Sequence, residues 1–268
     1  MPLTDLARHL NERSAQQPEG LAARAPFIAG DGKVYVDFAG IRLHSLFLPV
    51  IDTHSGKLHG HAARLRAIGL SAGTELPPET VFVLPTDDSE FIQLDRLVRT
   101  LHALNYLTQP LRGNLLLPVH QRHVLSVRGD HGLAFEEILR PCGLLPEQIT
   151  LEIDFNRHLE PAQVEHLGQA VSSYQRRGYS LALRLDGYQP GDEALLQRLH
   201  PDILRLLPTL AETSPPSDWS PLFPLARQLG ARILMDNWQP AEAPPDADLP
   251  FIDLIQARQK TGASLTDG

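Results

Sequence analysis

The fold is decided by residues 43–66, which read LHSLFLPVIDTHSGKLHGHAARLR. The apolar run Leu43–Ile51 is typical of a strand, and Thr53–Lys57 supplies the polar and glycine residues of a tight turn. A second strand is predicted near Leu58, close enough along the chain for the two strands to pair as an antiparallel hairpin. Ala62–Ile68 then favours the start of a helix or a strand-to-helix turn.

Downstream of this hairpin, short apolar strands alternate with helical stripes. The strongest helix is predicted over Asp88–Leu107, which begins with N-cap candidates and repeats apolar residues every three or four positions. Counting the hairpin, eight strands follow from Leu43 onward, and this alternation predicts a parallel sheet that closes as an α/β, TIM-like (β/α)8 barrel. The other predicted strands are Asn114–Val119, Gln148–Phe155, Tyr179–Leu185, Ile203–Leu207, Ala231–Met235 and Phe251–Ile255. The other predicted helices are Gly132–Leu139, Pro161–Arg177, Glu193–Leu199 and Pro221–Leu229.

Residues 1–40 are predicted to form an extension packed on the barrel. Leu3–Gln16 has the spacing of an amphipathic helix, and Lys33–Phe38 has that of a short strand after a glycine-rich turn. We expect the barrel over residues 41–258 and a flexible tail over 259–268, with the N-terminal helix taking the place of a closing helix. The apolar face of that helix consists of Leu6, Ala7 and Leu10.

Composition excludes several classes of protein. The 268 residues carry a net charge of -8, which argues against binding to a nucleic-acid backbone. No apolar run approaches the roughly 18 residues of a membrane span, and the N-terminus does not resemble a signal peptide. The single cysteine, Cys142, excludes an internal disulfide and has the setting of a turn residue. These features predict a soluble cytoplasmic protein.

Two proline-rich stretches, Pro208–Pro224 and Pro240–Pro250, are interpreted as long surface loops. The first contains three large apolar residues in an otherwise polar setting. They are a candidate interaction surface, and packing onto the barrel is the alternative. These residues are Trp219, Leu222 and Phe223.

Several pieces of the chain match, in order, the motifs of one known family. The opening pieces are Phe47–Asp52, Ser55–Lys57 and Gly60–Arg66, which match Y-Q-P-I-V-D, T-G and G-F-E-A-L-L-R. The later pieces are Leu94–Arg96, Leu151–Ile153, Leu225–Gly230, Ile233–Asp236 and Phe251–Gln256, which match the start of a long helix, L-E-I-T-E, L-A…L-G, V-V-A-E and D-Y-I-Q-G. Over about residues 43–256 the chain therefore resembles the EAL family of cyclic-di-GMP phosphodiesterases.

The resemblance implies an EAL-type barrel whose first strand is antiparallel and whose site lies at the C-terminal ends of the strands. An active member of the family hydrolyses one phosphodiester bond of cyclic di-GMP to give pGpG. It uses two divalent ions and a metal-activated water. Hard ions such as Mg²⁺ require several oxygen ligands that converge on one point.

Few of those ligands are kept in this chain. The family's Glu, Asn, Glu, Asp, Asp, Lys, Glu and Gln fall, in chain order, on Ala62, Pro118, Glu152, Arg184, Leu185, Arg205, Asp236 and Gln256. Glu152 is then the one retained carboxylate among the family's metal ligands, and a single carboxylate cannot hold two metal ions. Arg184 would also place a fixed positive charge where an ion should lie. The resemblance therefore implies a degenerate site without catalytic residues or metal, so Mg²⁺ or Mn²⁺ is expected only if activity survives.

Four of these positions, together with Arg66, remain candidates for binding a ligand; the four are Glu152, Arg184, Arg205 and Gln256. In the family, the residue at Arg66 helps to hold the nucleotide, and a surface arginine is the alternative. Glu152 is expected to pair with Arg184 or Arg205 in the barrel mouth, or else to anchor an ion. The two arginines could instead bind a phosphate without metal. A zinc site from His61, His120 and either Glu152 or Asp154 is a weaker alternative.

The favoured hypothesis is a catalytically inactive regulatory protein of cyclic-di-GMP-type signalling that binds an unknown protein partner. Leu48 replaces the family's nucleotide-holding glutamine, which favours a protein partner over cyclic di-GMP. The alternatives are a metal-independent cyclic-di-GMP sensor and a weak phosphodiesterase with a remodelled site. The family dimerises near the loop that is rewritten here as Arg184–Gly191, so the resemblance leaves a dimer open.

Overall fold

The structure, a computed structural model, describes residues 3–15, 25–129, 131–140, 143–207, 219–236 and 252–256. The strands are β1 (Phe27–Gly30), β2 (Lys33–Phe38), β3 (Ile41–Asp52), β4 (Leu58–Gly69), β5 (Glu75–Leu76), β6 (Asn114–Pro118), β7 (Ile149–Asp154), β8 (Ser180–Leu185), β9 (Ile203–Leu206), β10 (Arg232–Asp236) and β11 (Leu254–Gln256). The helices are α1 (Leu3–Ala15), α2 (Glu79–Phe82), α3 (Asp88–Thr108), α4 (Gln121–Ser126), α5 (Leu133–Leu139), α6 (Pro161–Arg176), α7 (Asp192–Leu199) and α8 (Leu222–Leu229).

Eight of these strands close into a barrel, in the order β3, β4, β6, β7, β8, β9, β10, β11 and back to β3. β3 is antiparallel to both of its neighbours, pairing Leu48 with Ala62 on β4 and Ile51 with Ile255 on β11. The strands from β4 to β11 within the barrel are parallel to one another. The predicted (β/α)8 barrel with an antiparallel first strand is confirmed.

The N-terminal extension continues the sheet beyond the barrel. β1 and β2 form a hairpin, and β2 adds to the far end of β3 by pairing Val36 with Leu43. The predicted apolar face of α1 is buried. The carboxamide of Asn11 accepts from the backbone N–H of Phe27 at 2.8 Å and donates to its carbonyl oxygen at 3.0 Å. This side chain therefore satisfies both backbone groups at the start of the edge strand.

The long helix α3 packs against one face of the extension. Its N-cap is Asp87, which accepts from the N–H of Glu90 at 2.8 Å. Asn105 is buried and bonds both the N–H and the carbonyl of Val34, at 2.9 and 2.7 Å. His102 lies 2.8 Å from the hydroxyl of Ser45 on β3. Burial holds the pKa of His102 down to about 3, so the ring is neutral at pH 7.

A buried ion cluster fixes α3 to the segment after β6. The Asp95 carboxylate accepts from Arg99 at 3.0 Å and from the backbone N–H of His120 at 3.2 Å. Arg99 donates to Nε2 of His123, so the proton of the neutral His123 ring lies on Nδ1, 3.2 Å from Asp95. Burial and the neighbouring Arg99 lower the pKa of His123 to about 3. The counter-charge of Asp95 is therefore Arg99.

The expectation of a helix or turn at Ala62–Ile68 is wrong. β4 runs without interruption to Gly69 and pairs residue by residue with β3 as far as Ile41. Alanine, leucine and arginine are good helix formers, but the pairing with β3 overrides this weak local preference. The correction matters for the site because it places Ala62 and Arg64 on one face of a strand.

The three apolar residues proposed as an interaction surface are packed inward. Trp219 and Leu222 are buried, and Phe223 is partly buried against the core. The alternative of packing onto the barrel is therefore correct. Most of the first proline-rich stretch, the whole of the second, Cys142 and the predicted tail lie outside the described residues. No helix in the described parts of the chain combines the length and apolarity needed to cross a membrane.

An apolar layer fills the middle of the barrel. Its members face inward from seven of the eight barrel strands and are at most 4% exposed. They are Val50, Ala62, Leu116, Ala182, Ile203, Leu234 and Leu254. This packed layer is what a TIM-like barrel requires, and it forms the floor of the space above it at the C-terminal ends of the parallel strands.

Replacing Gly60 with Ala is expected to lower the free energy of unfolding by about 2–3 kcal/mol. Gly60 pairs with Asn114 where β4 meets β6, and a Cβ atom there would lie 2.0 Å from the carbonyl oxygen of Asn114. A backbone oxygen held in the barrel cannot move aside cheaply. Urea denaturation measures the loss, with Gly129→Ala as the control because a Cβ atom there meets no heavy atom within 4 Å. Equal effects of the two substitutions would contradict the close approach.

Candidate functional site

A polar layer lies directly above the apolar layer, at the C-terminal mouth of the barrel. On five strands, the residue two positions after the member of the apolar layer is polar. Because side chains alternate along a strand, all five face inward. They are Arg64, Arg184, Arg205, Asp236 and Gln256. Glu152 joins them from β7.

Glu152 lies between two arginines at the centre of this layer. Its side chain is fully buried, and its Oε2 accepts from Nη1 of Arg64 at 3.0 Å. Its Oε1 accepts from Nη1 of Arg205, whose side chain is also fully buried. Both carboxylate oxygens are thus engaged by guanidinium groups. The predicted pairing of Glu152 with Arg205 is present.

Arg205 is the hub of the layer. Its Nη2 lies 2.7 Å from Oδ1 of Asp236 and donates to Oε1 of Gln256. Arg64 donates to the same Gln256 oxygen at 3.1 Å. Two guanidinium groups are therefore joined by two carboxylates and one amide oxygen. This charge-balanced network, Arg64–Glu152–Arg205–Asp236–Gln256, is called the mouth network below.

The network sets the protonation of its members. Burial alone would raise the pKa of Glu152, but Arg205, Arg64 and Arg184 lower it to about 2. Burial lowers the pKa of Arg64, and the nearby Glu152 opposes this effect. The neighbouring carboxylates of Glu152 and Asp236 outweigh burial at Arg205 and raise its pKa. At neutral pH Glu152 is a carboxylate held between two cations.

The other predicted residues lie at the rim of the mouth. Arg184 pairs with Asp154 at 3.3 Å and not with Glu152, although its charge still acts on Glu152. Arg66 is more exposed and forms a two-pronged ion pair with Glu75, with both contacts at 3.1 Å. The candidate residues therefore divide into a buried set, Glu152, Arg205 and Gln256, and a rim set, Arg66 and Arg184.

Arg64 is the functional residue that sequence reasoning missed. It occupies the position of the family's first leucine after the named glutamate, and the expected helix gave it no defined direction. Its signal was present all the same. If the hairpin strand is extended past Ala62, the alternation of side chains places Arg64 on the inward face, two residues further towards the mouth.

The residues present do not fit a pair of hard divalent ions. Ala62, Pro118 and Leu185 have no side-chain oxygen or amide to offer, and both oxygens of Glu152 are occupied by arginines. The positions that should surround an ion contain guanidinium groups, which repel cations and cannot be deprotonated in proteins. Among the described residues, no three His, Cys, Asp or Glu side chains form a group that could hold a metal ion.

The zinc grouping suggested by the histidines is not assembled. His61 lies on β4 with its Nδ1 3.1 Å from the carbonyl oxygen of Arg112. His120 packs against Phe82 with the rings tilted by 45° and their centroids 4.0 Å apart. Glu152 is held between its arginines, so the three side chains have separate partners.

The sequence matches no known family model and no curated protein.

Several solved structures have a fold similar to that of this chain. The Bacillus subtilis YkuI protein, with an EAL domain and bound c-di-GMP and calcium, aligns with a TM-score of 0.62 at 18% identity, covering 80% of this chain and 54% of that one. A standalone EAL protein from Vibrio cholerae O395, bound to c-di-GMP, gives 0.59 at 14%, covering 80% and 89%. The EAL enzyme Bd1971, bound to cAMP and cyclic di-GMP, gives 0.65 at 12%, covering 95% and 64%.

These likenesses establish the fold: the chain is an EAL-type barrel. The chain spans about half the length of YkuI, the first of these structures. At sequence identities of 12–18%, the similarity supports a shared fold but not a shared activity.

Proposed function

We propose that this chain is a catalytically inactive EAL-type domain that acts in the cytoplasm as a regulator of cyclic-di-GMP-type signalling, by binding a partner protein. The observation that carries the proposal is the mouth network. Glu152 is the family carboxylate that this chain keeps. Its two oxygens accept hydrogen bonds from Arg64 and Arg205. An ion could take those oxygens only by displacing two guanidinium groups, of which that of Arg205 is fully buried.

The chemistry of phosphodiester hydrolysis supports the inactive assignment. Metal-dependent hydrolysis relies on ions that neutralise the phosphate and lower the pKa of a bound water. Arginine can neutralise a phosphate, but it cannot ionise a water in that way. In the described mouth, Glu152 and Asp236 are salt-bridged to Arg205, and Glu152 is fully ionised at neutral pH. Neither carboxylate is arranged as a free general base.

The link to cyclic-di-GMP signalling rests on the fold and on the ligands named for the similar structures, which hold cyclic di-GMP. One feature favours a protein partner over this nucleotide. Leu48, on the same face of β3 as the inward-facing Val50, is apolar where the family has its nucleotide-holding glutamine.

A second candidate function is metal-independent sensing of cyclic di-GMP. Arg64 and Arg184 are about a quarter to a third exposed at the mouth, at 26% and 30%. Arginine presents a planar fork that suits phosphate oxygens. Ion pairs at the rim could exchange a carboxylate for a phosphate, whereas the fully buried Arg205 has no access to a ligand without rearrangement.

The full chain is expected to convert no cyclic di-GMP to pGpG in the presence of Mg²⁺ or Mn²⁺, because the mouth network leaves no place for the ions. Chromatographic separation of nucleotide products measures turnover, with an active EAL phosphodiesterase assayed alongside. Calorimetric titration with cyclic di-GMP in the presence of a chelator distinguishes the two proposed functions, since only a sensor would bind the nucleotide without metal.

Metal-dependent appearance of pGpG that is lost in Glu152→Gln would contradict the inactive assignment, since it would place turnover at this site. Tight metal-free binding of cyclic di-GMP without turnover would favour the sensor.

A further inference from the structure

A second polar surface lies on the sheet extension, outside the mouth network. It is formed by Lys33 and Tyr35 on β2, Arg42 and His44 on β3, and Arg66 on β4, and is called the basic ledge below. On the opposite face of these strands, Val34 is buried in the core and the hydroxyl of Ser45 lies 2.8 Å from His102 of α3. Because side chains alternate along a strand, the residues of the basic ledge point away from α3.

The basic ledge is a packed surface with a fixed shape. The guanidinium carbon of Arg42 lies 4.3 Å above the centre of the Tyr35 ring. The rings of Tyr35 and His44 are 6.0 Å apart. His44 is paired with Arg66 across the β3–β4 register. The aromatic ring and the neighbouring strands therefore hold the cations in place, which lowers the entropy lost when they bind a partner.

The basic ledge has a small excess of positive charge, although the chain as a whole carries a net charge of -8. Lys33, Arg42 and Arg66 supply three positive charges, and the carboxylates of Asp37 and Glu75, which pair with the two arginines, supply two negative ones. This excess favours a negatively charged partner.

Both arginines of the basic ledge already hold carboxylates from the same chain. Arg42 binds the two oxygens of Asp37 at 2.8 Å each, and Arg66 binds those of Glu75 at 3.1 Å each. This geometry is the two-pronged pairing that arginine makes with carboxylates. The pairs are solvent-accessible, with side chains 29–59% exposed, so exchange for a partner's carboxylates costs little.

We infer that the basic ledge binds an acidic segment of a partner protein, whose carboxylates enter the guanidinium forks of Arg42 and Arg66. The inference rests on the proposed function, because it names the kind of partner that the regulatory domain would bind. The ledge adjoins the mouth network, because Arg66 lies two residues after Arg64 on the same face of β4. A segment bound there would lie at the edge of the mouth.

The test uses the full chain and a fluorescent peptide that alternates Glu and Ser, followed by anisotropy at low salt. The double variant Arg42→Glu/Arg66→Glu should weaken binding by about tenfold or more, since attraction becomes repulsion at both forks. The matched control Arg140→Glu/Arg198→Glu changes the charge equally at two exposed ion pairs elsewhere and should leave affinity within about twofold. Arg42→Lys/Arg66→Lys keeps the charge but loses the forks, and should give an intermediate loss. Melting curves verify that each variant is folded.

Three results would overturn the inference. The first is peptide binding that is absent, or that both double reversals weaken equally. The second is tighter binding of a single-stranded oligothymidine of matched charge, which would assign the ledge to nucleic acid. The third is displacement of the peptide by cyclic di-GMP, which would make the ledge part of a nucleotide site. None of these depends on turnover, so failure here is distinct from a failure of the inactive assignment, which the pGpG assay alone decides.

Discussion

Glu152→Gln is expected to lower the free energy of unfolding by about 3–5 kcal/mol, one of the two largest effects predicted for this chain. The substitution keeps the shape of the side chain but removes its charge. Arg64 and Arg205 would then share a buried space with Asp236 as the remaining anion. One of the two oxygens would also become an N–H donor facing a guanidinium. Urea denaturation measures the loss.

The same carboxylate predicts a pH dependence. The pKa of Glu152 is about 2 in the folded protein, below its ordinary value of 4.5. The unfolded chain therefore binds this proton first as the pH falls. The stabilisation by Glu152 is complete above about pH 4.5 and is lost as the pH falls towards 2. The stability difference between the natural chain and Glu152→Gln should shrink over that range.

The control for this substitution is Glu165→Gln, which removes a carboxylate from an exposed pair with Arg198. Water screens that pair, so we expect a much smaller change. If the two variants lost the same stability, or if the difference at Glu152 did not change with pH, the mouth network would not exist as described.

Asp95→Asn is expected to cost a similar amount, about 3–5 kcal/mol, at the second buried ion cluster, between α3 and the segment after β6. Asp95 and Arg99 are both 2% exposed, and His123 beside them is neutral. Removing the carboxylate charge leaves Arg99 buried without a counter-charge. The substitution also weakens the bond from the His120 N–H, which ties the segment after β6 to α3.

Asp88→Asn, on the first turn of the same helix, is the matched control, because its pair with Arg122 is exposed. Pairing Asp95→Asn with Arg99→Met should cost less than the sum of the two single changes, since the double variant leaves no lone buried charge. Strictly additive losses would show that Asp95 and Arg99 do not stabilise each other.

Most of the barrel could be predicted from the sequence because its signals are local. Each of these signals can be read from a short stretch of sequence. They are the eight apolar strands, the turn at Thr53–Lys57 and the N-cap at Asp87. The strand past Ala62 could not be predicted in this way. Its conformation is set by residue-by-residue pairing with β3, which is itself paired with β2. Both pairings are contacts between separate strands, which local sequence patterns do not reveal.

The site was only partly predictable for the same reason. The resemblance placed Glu152, Arg205 and Gln256 at one point, and the structure brings all three into contact. Arg64 was missed because its direction depends on the strand that was not foreseen. Arg184 pairs with Asp154 because these two residues are directly opposite in the β7–β8 register, a detail that composition does not carry.

Trp219 illustrates a different limit. A large apolar residue in a proline-rich stretch is equally compatible with an exposed anchor and with a core residue, since both need the same side chain. Trp219 and Leu222 lie in the core, where they pack the start of α8 against the rest of the protein. With these residues packed inward, the surface that we propose for a partner is the basic ledge, which would attract it by charge and not by apolar area.

The most direct test of the central claim is anomalous diffraction from a crystal of the full chain grown with Mn²⁺ and cyclic di-GMP. The account predicts no manganese peak in the barrel mouth and an intact contact from Arg205 to Glu152. One or two manganese peaks bound by Glu152 and Asp236, with Arg205 turned away, would contradict it.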